Sequence, residues 1–193
     1  MIYCIARVQG CREPKDRLAA CVCEKDAERT CEGVTVSEFS PGFVQDNEFL
    51  ARSVVDPDHY QRGELHESLF DDMFKFGMSC IRSNHESKDK IHARGKGRIR
   101  GRVTPKGVAK KYVGYVLLSV EFLRNIDLDR GVRVYDTAEQ DFISHADVVA
   151  SPTMTENRET SPKALKELRK RIKSKLLIHA RAVQGGLIED KQT

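Results

Sequence analysis

The feature that most constrains the fold is segment 161–186, which has the marks of a long amphipathic helix. Ser161 can cap its first turn, Pro162 suits the first helical position, and Gly185-Gly186 can end it. An apolar stripe at helical spacing runs along one side and consists of Leu165, Leu168, Ile172, Leu176 and Ala180. We therefore expect this helix to dock its stripe on the rest of the domain.

The remaining elements predict an α+β fold with a mainly antiparallel sheet. Strand patterns occur around 2–8, 49–55, 78–83, 112–124, 132–138 and 146–152, and a further helix is expected around 15–23. Leu65, Leu69, Met73 and Phe76 predict a short helix near 65–76, in addition to the C-terminal helix near 162–184. The regular strand–helix alternation of a parallel doubly wound sheet is absent from the pattern, which favours the antiparallel arrangement.

Turns and loops separate these elements. Asp56-Pro57-Asp58 and the segment 61–63 have turn composition, and Thr104-Pro105-Lys106-Gly107 has proline and glycine at β-turn positions. The polar segment 83–93 is expected to be a loop. We divide the chain into a cysteine-rich N-terminal extension or first sub-element at 1–45 and a single α+β domain at 46–193.

The cysteines and the hydropathy limit the class of protein. Five of the six cysteines lie within the first 31 residues, but their spacing is irregular and no C-x-x-C pair occurs. We therefore expect reduced thiols, no metal site and no cofactor. No apolar run approaches the ~18 residues of a membrane span, and the start lacks the pattern of a secretory signal. The expected location is the cytoplasm, without a membrane partner.

Three motifs carry a family resemblance. They are the Arg-containing strand in FLARSVVDPDHY, the Ser-x-x-Arg strand after a helix in SLFDDMFKFGMSCIRS, and the His-Ala-x-Val strand in VRVYDTAEQDFISHADVV. This layout resembles a group of small bacterial proteins that have no assigned activity. The resemblance covers roughly residues 48–150, and it implies one domain and no particular reaction.

Charge is distributed unevenly along the chain. Segment 88–111 holds ten Lys or Arg against one acid, and segment 161–181 holds eight against one. Within the first segment, every even position from 94 to 102 is cationic, which in a strand would put five positive charges on one face. This period of two predicts an extended segment that ends at the turn of Thr104-Pro105-Lys106-Gly107.

The basic elements suggest a polyanion partner, most simply nucleic acid, held by its phosphates. The residues that would bind it are Arg94, Lys96, Arg98, Arg100, Arg102, Lys110, Lys111, Arg169, Lys170 and Lys173. Three structural alternatives remain open for the 94–102 segment: a charged edge strand that resists aggregation, pairing with Glu121, Asp127 and Asp129, or a flexible loop.

A smaller set of residues suggests chemistry instead. Arg52 and Arg82 each sit within an apolar strand pattern, where a buried arginine would need an anionic partner or could bind a phosphate or carboxylate. His145 and Asp147 would share one face of a strand, with Asp136 next to them, and could perform acid–base catalysis. Half-exposed arginines and a structural histidine are the alternatives.

These observations lead to three functional hypotheses. The first is a nucleic-acid-binding or accessory subunit that uses the basic strand and the basic helix. The second is a small enzyme or ligand-binding domain with an anion pocket at Arg52 and Arg82 and with His145 as acid or base. The third is an assembly module whose basic faces meet an acidic protein partner.

Overall fold

An antiparallel sheet forms the centre of the fold. The computed structural model describes residues 30–33, 35, 38–75, 77–126, 132–150 and 161–190. Within them, six strands form the sheet: β1 (Phe49–Asp56), β4 (Met78–Arg82), β5 (Lys111–Ser119), β6 (Val132–Asp136), β7 (His145–Ala150) and β8 (Ile188–Glu189). Their order across the sheet is β6-β7-β4-β1-β5-β8, while β2 (Tyr60–Gln61) and β3 (Glu64–Leu65) form a separate hairpin.

Helices cover both faces of this sheet. They are α1 (Lys88–Ile99), α2 (Val120–Asn125) and α3 (Pro162–Ala182), together with 3₁₀ helices at Thr30–Gly33, Glu67–Phe74, Ser83–His85 and Val183–Gly185. Alternate residues of β1 face opposite sides: Leu50 and Val54 join the core beneath α3 and the 67–74 helix, whereas Ala51 packs with Ile91 of α1. The predicted α+β class with a mainly antiparallel sheet is therefore confirmed.

The C-terminal helix has the predicted form. Ser161 Oγ accepts a hydrogen bond from the Ala164 amide at 3.2 Å, and Pro162 occupies the first turn. Leu168, Ile172, Leu176 and Ala180 are buried in the main core, and Leu165 is half-buried. Since burial of each large apolar side chain is worth about 1.5–3 kcal/mol, this stripe is the main attachment of α3 to the sheet.

The expectation of an extended basic segment was wrong. Residues 94–99 form the second half of α1, whose first turn is capped by Ser87. The buried positions of α1 are Ile91, Gly95 and Ile99, which recur every four residues as in a helix. Gly95 takes part because a Cβ there would lie 2.2 Å from Cε2 of Tyr112, so only glycine lets α1 pack this closely on β5.

Two further predictions need correction, and the turns are confirmed. The 83–93 segment contains a 3₁₀ helix and the first half of α1 rather than a loop, and the 112–124 strand ends at Ser119, where α2 begins. Gly107 N–H donates to Thr104 O at 2.9 Å, as the predicted β-turn requires. The short helix predicted near 65–76 exists at Glu67–Phe74 in 3₁₀ form.

Residues before the sheet pack against it where they are described. Val44 is fully buried in the main core, and Glu32 Oε1 accepts hydrogen bonds from the Val134 amide at 2.7 Å and from Arg124 Nε at 3.3 Å. The predicted strand at 2–8, the predicted helix at 15–23, Phe76, Asp127 and Asp129 lie outside the described residues. No helix in the described part is long and apolar enough to cross a membrane.

Candidate active site

A cleft of about 530 Å³ opens between α1 and the sheet. Its floor is the face of the sheet that carries Ser53, Ser79, His145 and Asp147, and α1 forms one wall. The segment between β6 and β7 closes one end with Thr137, Glu139 and Phe142. A cleft of this size can hold a small molecule, because ligand pockets commonly measure about 300–1,000 Å³.

The strand register brings the polar floor residues together. Ser79 of β4 pairs with Asp147 of β7, and Ile81 pairs with His145, so His145 is the diagonal neighbour of Ser79 on the same face. The β1–β4 ladder ends at the pair of Ala51 and Ile81. Beyond that point β1 and β4 are no longer paired, and Ser53 of β1 and Ser79 of β4 both line the cleft.

A chain of hydrogen bonds connects Ser79 to a buried carboxylate. Ser79 Oγ lies 2.7 Å from His145 Nε2, and His145 Nδ1 lies 2.9 Å from Thr137 Oγ1 and 3.1 Å from Thr137 O. Thr137 Oγ1 donates in turn to Asp147 Oδ2 at 2.8 Å. The Asp147 carboxylate is itself 3.9 Å from Nδ1, so its influence on the imidazole passes through the threonine hydroxyl.

The donor and acceptor groups available determine the direction of each hydrogen bond in this chain. The Asp147 carboxylate can only accept hydrogen bonds, so the Thr137 hydroxyl donates its hydrogen to Asp147 Oδ2. The Thr137 oxygen can then only accept a hydrogen bond from His145. The Thr137 carbonyl also only accepts. His145 Nδ1 therefore carries the ring proton, and Nε2 is left as an acceptor for the Ser79 hydroxyl. A serine hydroxyl that donates to an oriented imidazole is the arrangement by which proteins activate a serine nucleophile.

Sequence reasoning found part of this site. It placed His145 and Asp147 on one face of a strand, which the structure confirms. It expected Asp136 beside them, but Asp136 is fully buried and lies 3.9 Å from Arg82 Nη1, while the next residue, Thr137, reaches the site. It missed Ser79, although this is the serine of the Ser-x-x-Arg strand.

Cys80, the neighbour of Ser79, is not part of the cleft chemistry. Its side chain lies in the main core, and burial raises the pKa of its thiol to about 12. The thiol thus stays protonated at neutral pH and is a poor nucleophile. Among the described residues, no group of three or more His, Cys, Asp or Glu side chains could hold a metal ion.

Arg82 is bound by the protein itself. It is 1% exposed, and its Nε and Nη2 donate to Glu48 Oε2 and Oε1 at 2.8 and 2.6 Å. Nη1 donates to Gly42 O at 2.6 Å and Nη2 also approaches Phe43 O at 3.3 Å. The anionic partner expected for a buried arginine is therefore Glu48, and Arg82 does not line the cleft.

Arg52 approaches the floor from the other face of the sheet. Its Nη1 donates to Ser79 O at 3.1 Å and its Nη2 donates to Asp72 Oδ2 at 2.7 Å. Burial, followed by the charge of Arg52, lowers the pKa of nearby His59 to about 4. Arg52 supports the backbone of Ser79 from behind, so it and Arg82 do not converge with His145 on one pocket.

The cations predicted to bind nucleic acid lie in several different environments. Arg94 and Arg98 line the cleft, and Lys96 and Lys110 pair with Asp190 and Asp58. Arg100, Arg102 and Lys111 are exposed around the turn at 104–107. On the other face of the sheet, Lys170 of α3 is exposed, Lys173 pairs with Asp71, and Arg169 lies over the ring of Phe74. The two basic elements therefore form no common surface.

Comparison with known proteins adds no relative of known activity to this geometry. No protein-family model, curated protein or solved structure matches the chain. The resemblance to small bacterial proteins stays a prediction, and the cleft is interpreted from its own residues.

Proposed function

We propose that the protein is an enzyme that cleaves a carboxylic ester, with Ser79 as nucleophile and His145 as general base. The observation that carries this proposal is the chain of hydrogen bonds from Ser79 through His145 and Thr137 to Asp147, on the floor of a cleft. Nucleophile, base and orienting groups stand in hydrogen-bond contact, and substrate has room above them.

Each step of the reaction uses groups of the cleft floor. As Ser79 Oγ bonds to the carbonyl carbon of the ester, its proton passes to His145 Nε2. The bond from that carbon to the leaving oxygen then breaks, and the leaving group takes the proton from Nε2. A water molecule next gives a proton to Nε2 while its oxygen bonds to the acyl carbon. Ser79 Oγ leaves and recovers the proton, so ester and water give acid and alcohol.

The surroundings of His145 support a role as base. Its ring is tilted against the ring of Phe142 at 4.8 Å, and Arg94 lies over the same phenyl ring at 4.2 Å. Arg94 is held in place by hydrogen bonds from its Nε to Glu86 at 2.8 Å and from its Nη2 to Asp141 O at 3.2 Å. The imidazole is thus fixed by packing on one side and by Thr137 on its Nδ1 edge.

A fluorophosphonate probe tests the proposal directly, because it reacts covalently with activated serines. The wild-type protein should gain one adduct, which peptide mass mapping should locate on Ser79. Ser79→Ala should abolish the adduct, and His145→Ala should slow it by about 10²–10⁴-fold, the usual contribution of a general base. Ser53→Ala is the matched control, since Ser53 lines the same cleft and its hydroxyl makes no hydrogen bond with a described histidine.

Either of two results would contradict the proposal. If the wild-type protein takes up no probe, or if Ser79→Ala reacts as fast as the wild-type protein, Ser79 is not an activated nucleophile. A panel of p-nitrophenyl esters would then be uninformative, whereas for a reactive Ser79 it gives a first ranking of acyl groups.

A second function, binding of nucleic acid, is supported by the basic hairpin at 100–111. Arg100, Arg102 and Lys106 are exposed there and make no ion pair or side-chain hydrogen bond with any described residue. Such free cations favour contact with phosphates and release of counterions. Because α3 lies on the other face of the sheet, we restrict this proposal to the hairpin.

Fluorescence anisotropy with duplex and single-stranded oligonucleotides tests this second function. Affinity should fall steeply between about 50 and 200 mM salt, and the slope should decrease when Arg100, Arg102 and Lys106 become Ala. The control replaces Lys163, Lys166 and Lys170 of α3 and should leave the slope unchanged. Absence of binding at about 50 mM salt would refute it.

A further inference from the structure

The cations of α1 are not equivalent. Arg94 is bound to Glu86, and Lys96 is bound to Asp190 Oδ2 at 2.8 Å. Arg98 lies one turn after Arg94 and lines the cleft, yet it makes no hydrogen bond or ion pair with any residue that the structure describes. A guanidinium presents five N–H donors in a planar fork, so Arg98 has its full binding capacity available at the cleft wall.

The electrostatic environment of Arg98 favours an anion. The Arg98 side chain is exposed at the cleft wall, but the protein around it still disfavours its charge. Partial desolvation comes first among the causes that lower its pKa, and the positive charges of Arg52 and Arg102 act in the same direction against the attraction of Asp72. An oxyanion bound here would relieve this repulsion and could accept two parallel N–H donors. Two acidic residues, Asp147 and Glu139, also line the cleft. Asp147 accepts a hydrogen bond from the Thr137 hydroxyl, Glu139 also has an interaction partner, and neither forms an ion pair with Arg98.

The position of Arg98 also fits the reaction. Arg94 marks the end of the cleft at Phe142 and His145, and Arg98 lies four residues on along the helix, roughly 6 Å farther. An anionic group held there would leave the rest of a small molecule to extend along the floor past Ser79.

Gly97 keeps this part of the cleft open. A glycine within a helix costs about 1 kcal/mol relative to alanine, and Gly95 has a packing reason to be glycine. Gly97 has none, because a Cβ at this position would meet nothing within 4 Å. Since Gly97 lines the cleft beside Arg98, its missing side chain leaves room for a ligand.

We propose that Arg98 is the residue that binds the anionic group of the substrate, a carboxylate or a phosphate, with Gly97 providing the space beside it. This proposal rests on the proposed function of the cleft and names the chemical class of its substrate. The anionic group is bound at the helix wall, and the ester carbon lies on the sheet floor at Ser79.

Binding of simple anions to the full chain tests the role of Arg98. Inorganic phosphate and acetate are titrated separately into ¹⁵N-labelled Ser79→Ala protein, and the amide shifts of residues 95–98 are followed by NMR. We expect saturable shifts with at least one anion and at least tenfold weaker binding in the additional variant Arg98→Gln. Lys88→Gln, an exposed cation in the first turn of α1 that does not line the cleft, is the matched control and should bind like the parent protein. The preferred anion identifies the group as phosphate or carboxylate.

Two outcomes would overturn the proposal. One is equal anion affinity with and without Arg98→Gln, and the other is a response confined to the 100–111 hairpin. Because the titration uses a protein without the Ser79 hydroxyl, it is independent of the nucleophile. Anion binding without probe labelling would leave the Arg98 site standing and refute the nucleophile, whereas labelling without anion binding would do the reverse.

Discussion

Substitution of Glu48 by Gln should destabilise the protein strongly, because it removes the carboxylate that binds two N–H groups of the buried Arg82 and leaves only Asp136, at 3.9 Å, as a neighbouring negative charge. Both side chains are at most 4% exposed, and the carboxylate accepts two N–H donors of the guanidinium. Burial by itself would raise the pKa of Glu48, but the hydrogen bonds from Arg82 and from the Gln45 amide, with the charge of Arg82, lower it below its ordinary value. The pair is therefore ionised at neutral pH.

The expected magnitude follows from the desolvation of the remaining charge. Removal of one member of a buried ion pair costs about 3–5 kcal/mol, a large share of the roughly 5–15 kcal/mol by which a domain is stable. In a chain of this size, each kcal/mol lowers Tm by about 2–4 °C, so Glu48→Gln should lower it by roughly 6–20 °C. Arg82→Met should cost at least as much, because it also releases the carbonyl groups of Gly42 and Phe43.

Urea unfolding of both single variants and of the double variant Glu48→Leu/Arg82→Met provides the assay. The double variant removes both charges of the Glu48–Arg82 pair, so it should lose clearly less than the sum of the two single losses. Lys110→Met is the control, since Lys110 and Asp58 form a more exposed pair that should contribute less than about 1 kcal/mol. A loss for Glu48→Gln as small as that of the control would refute the reasoning.

Three further predictions concern the cleft and the residues behind it. Thr137→Val should slow labelling of Ser79 by roughly 10- to 150-fold, the equivalent of a hydrogen bond of about 1.5–3 kcal/mol, whereas Thr137→Ser should not; equal rates for Val and Ser would exclude the relay. Because the pKa of His59 is lowered to about 4 from 6.5, the unfolded chain binds the proton first on acidification. The free energy of unfolding should thus decrease from pH 6.5 to pH 4, and urea midpoints should show a flatter decrease for His59→Gln. Gly97→Ala should stabilise the protein by up to about 1 kcal/mol in thermal unfolding, whereas Gly95→Ala should destabilise it by collision with Tyr112; the same sign for both would contradict the structure.

The sequence predicts a helix or strand well where its buried positions carry apolar side chains. The stripe of α3 is an example, since Leu168, Ile172 and Leu176 all belong to the main core. The 94–102 segment fails for a related reason. Its buried helical positions are Ile91, Gly95 and Ile99, and the glycine interrupts the apolar period, so alternation of Arg and Gly dominates the pattern.

The site was predictable only in part because it depends on pairing between strands. His145 and Asp147 lie two residues apart on one strand, so the period of two is enough to place them together. Ser79 is 66 residues before His145 and joins it through the register of β4 and β7. Thr137 enters just after β6 ends, where the side chain that follows the last strand position cannot be assigned to a face from the pattern alone.

Two kinds of structural element line the cleft, the sheet and a helix, and this difference determines how the protein could be altered. The residues assigned to bond making and breaking belong to neighbouring strands or directly follow one, while Gly97 and Arg98 belong to a single helix. Substitutions on the exposed wall of α1 can change the size and charge of the accepted molecule without altering any hydrogen bond between strands. A chain built this way offers α1 as the segment to randomise when a new substrate is sought, with the sheet kept constant.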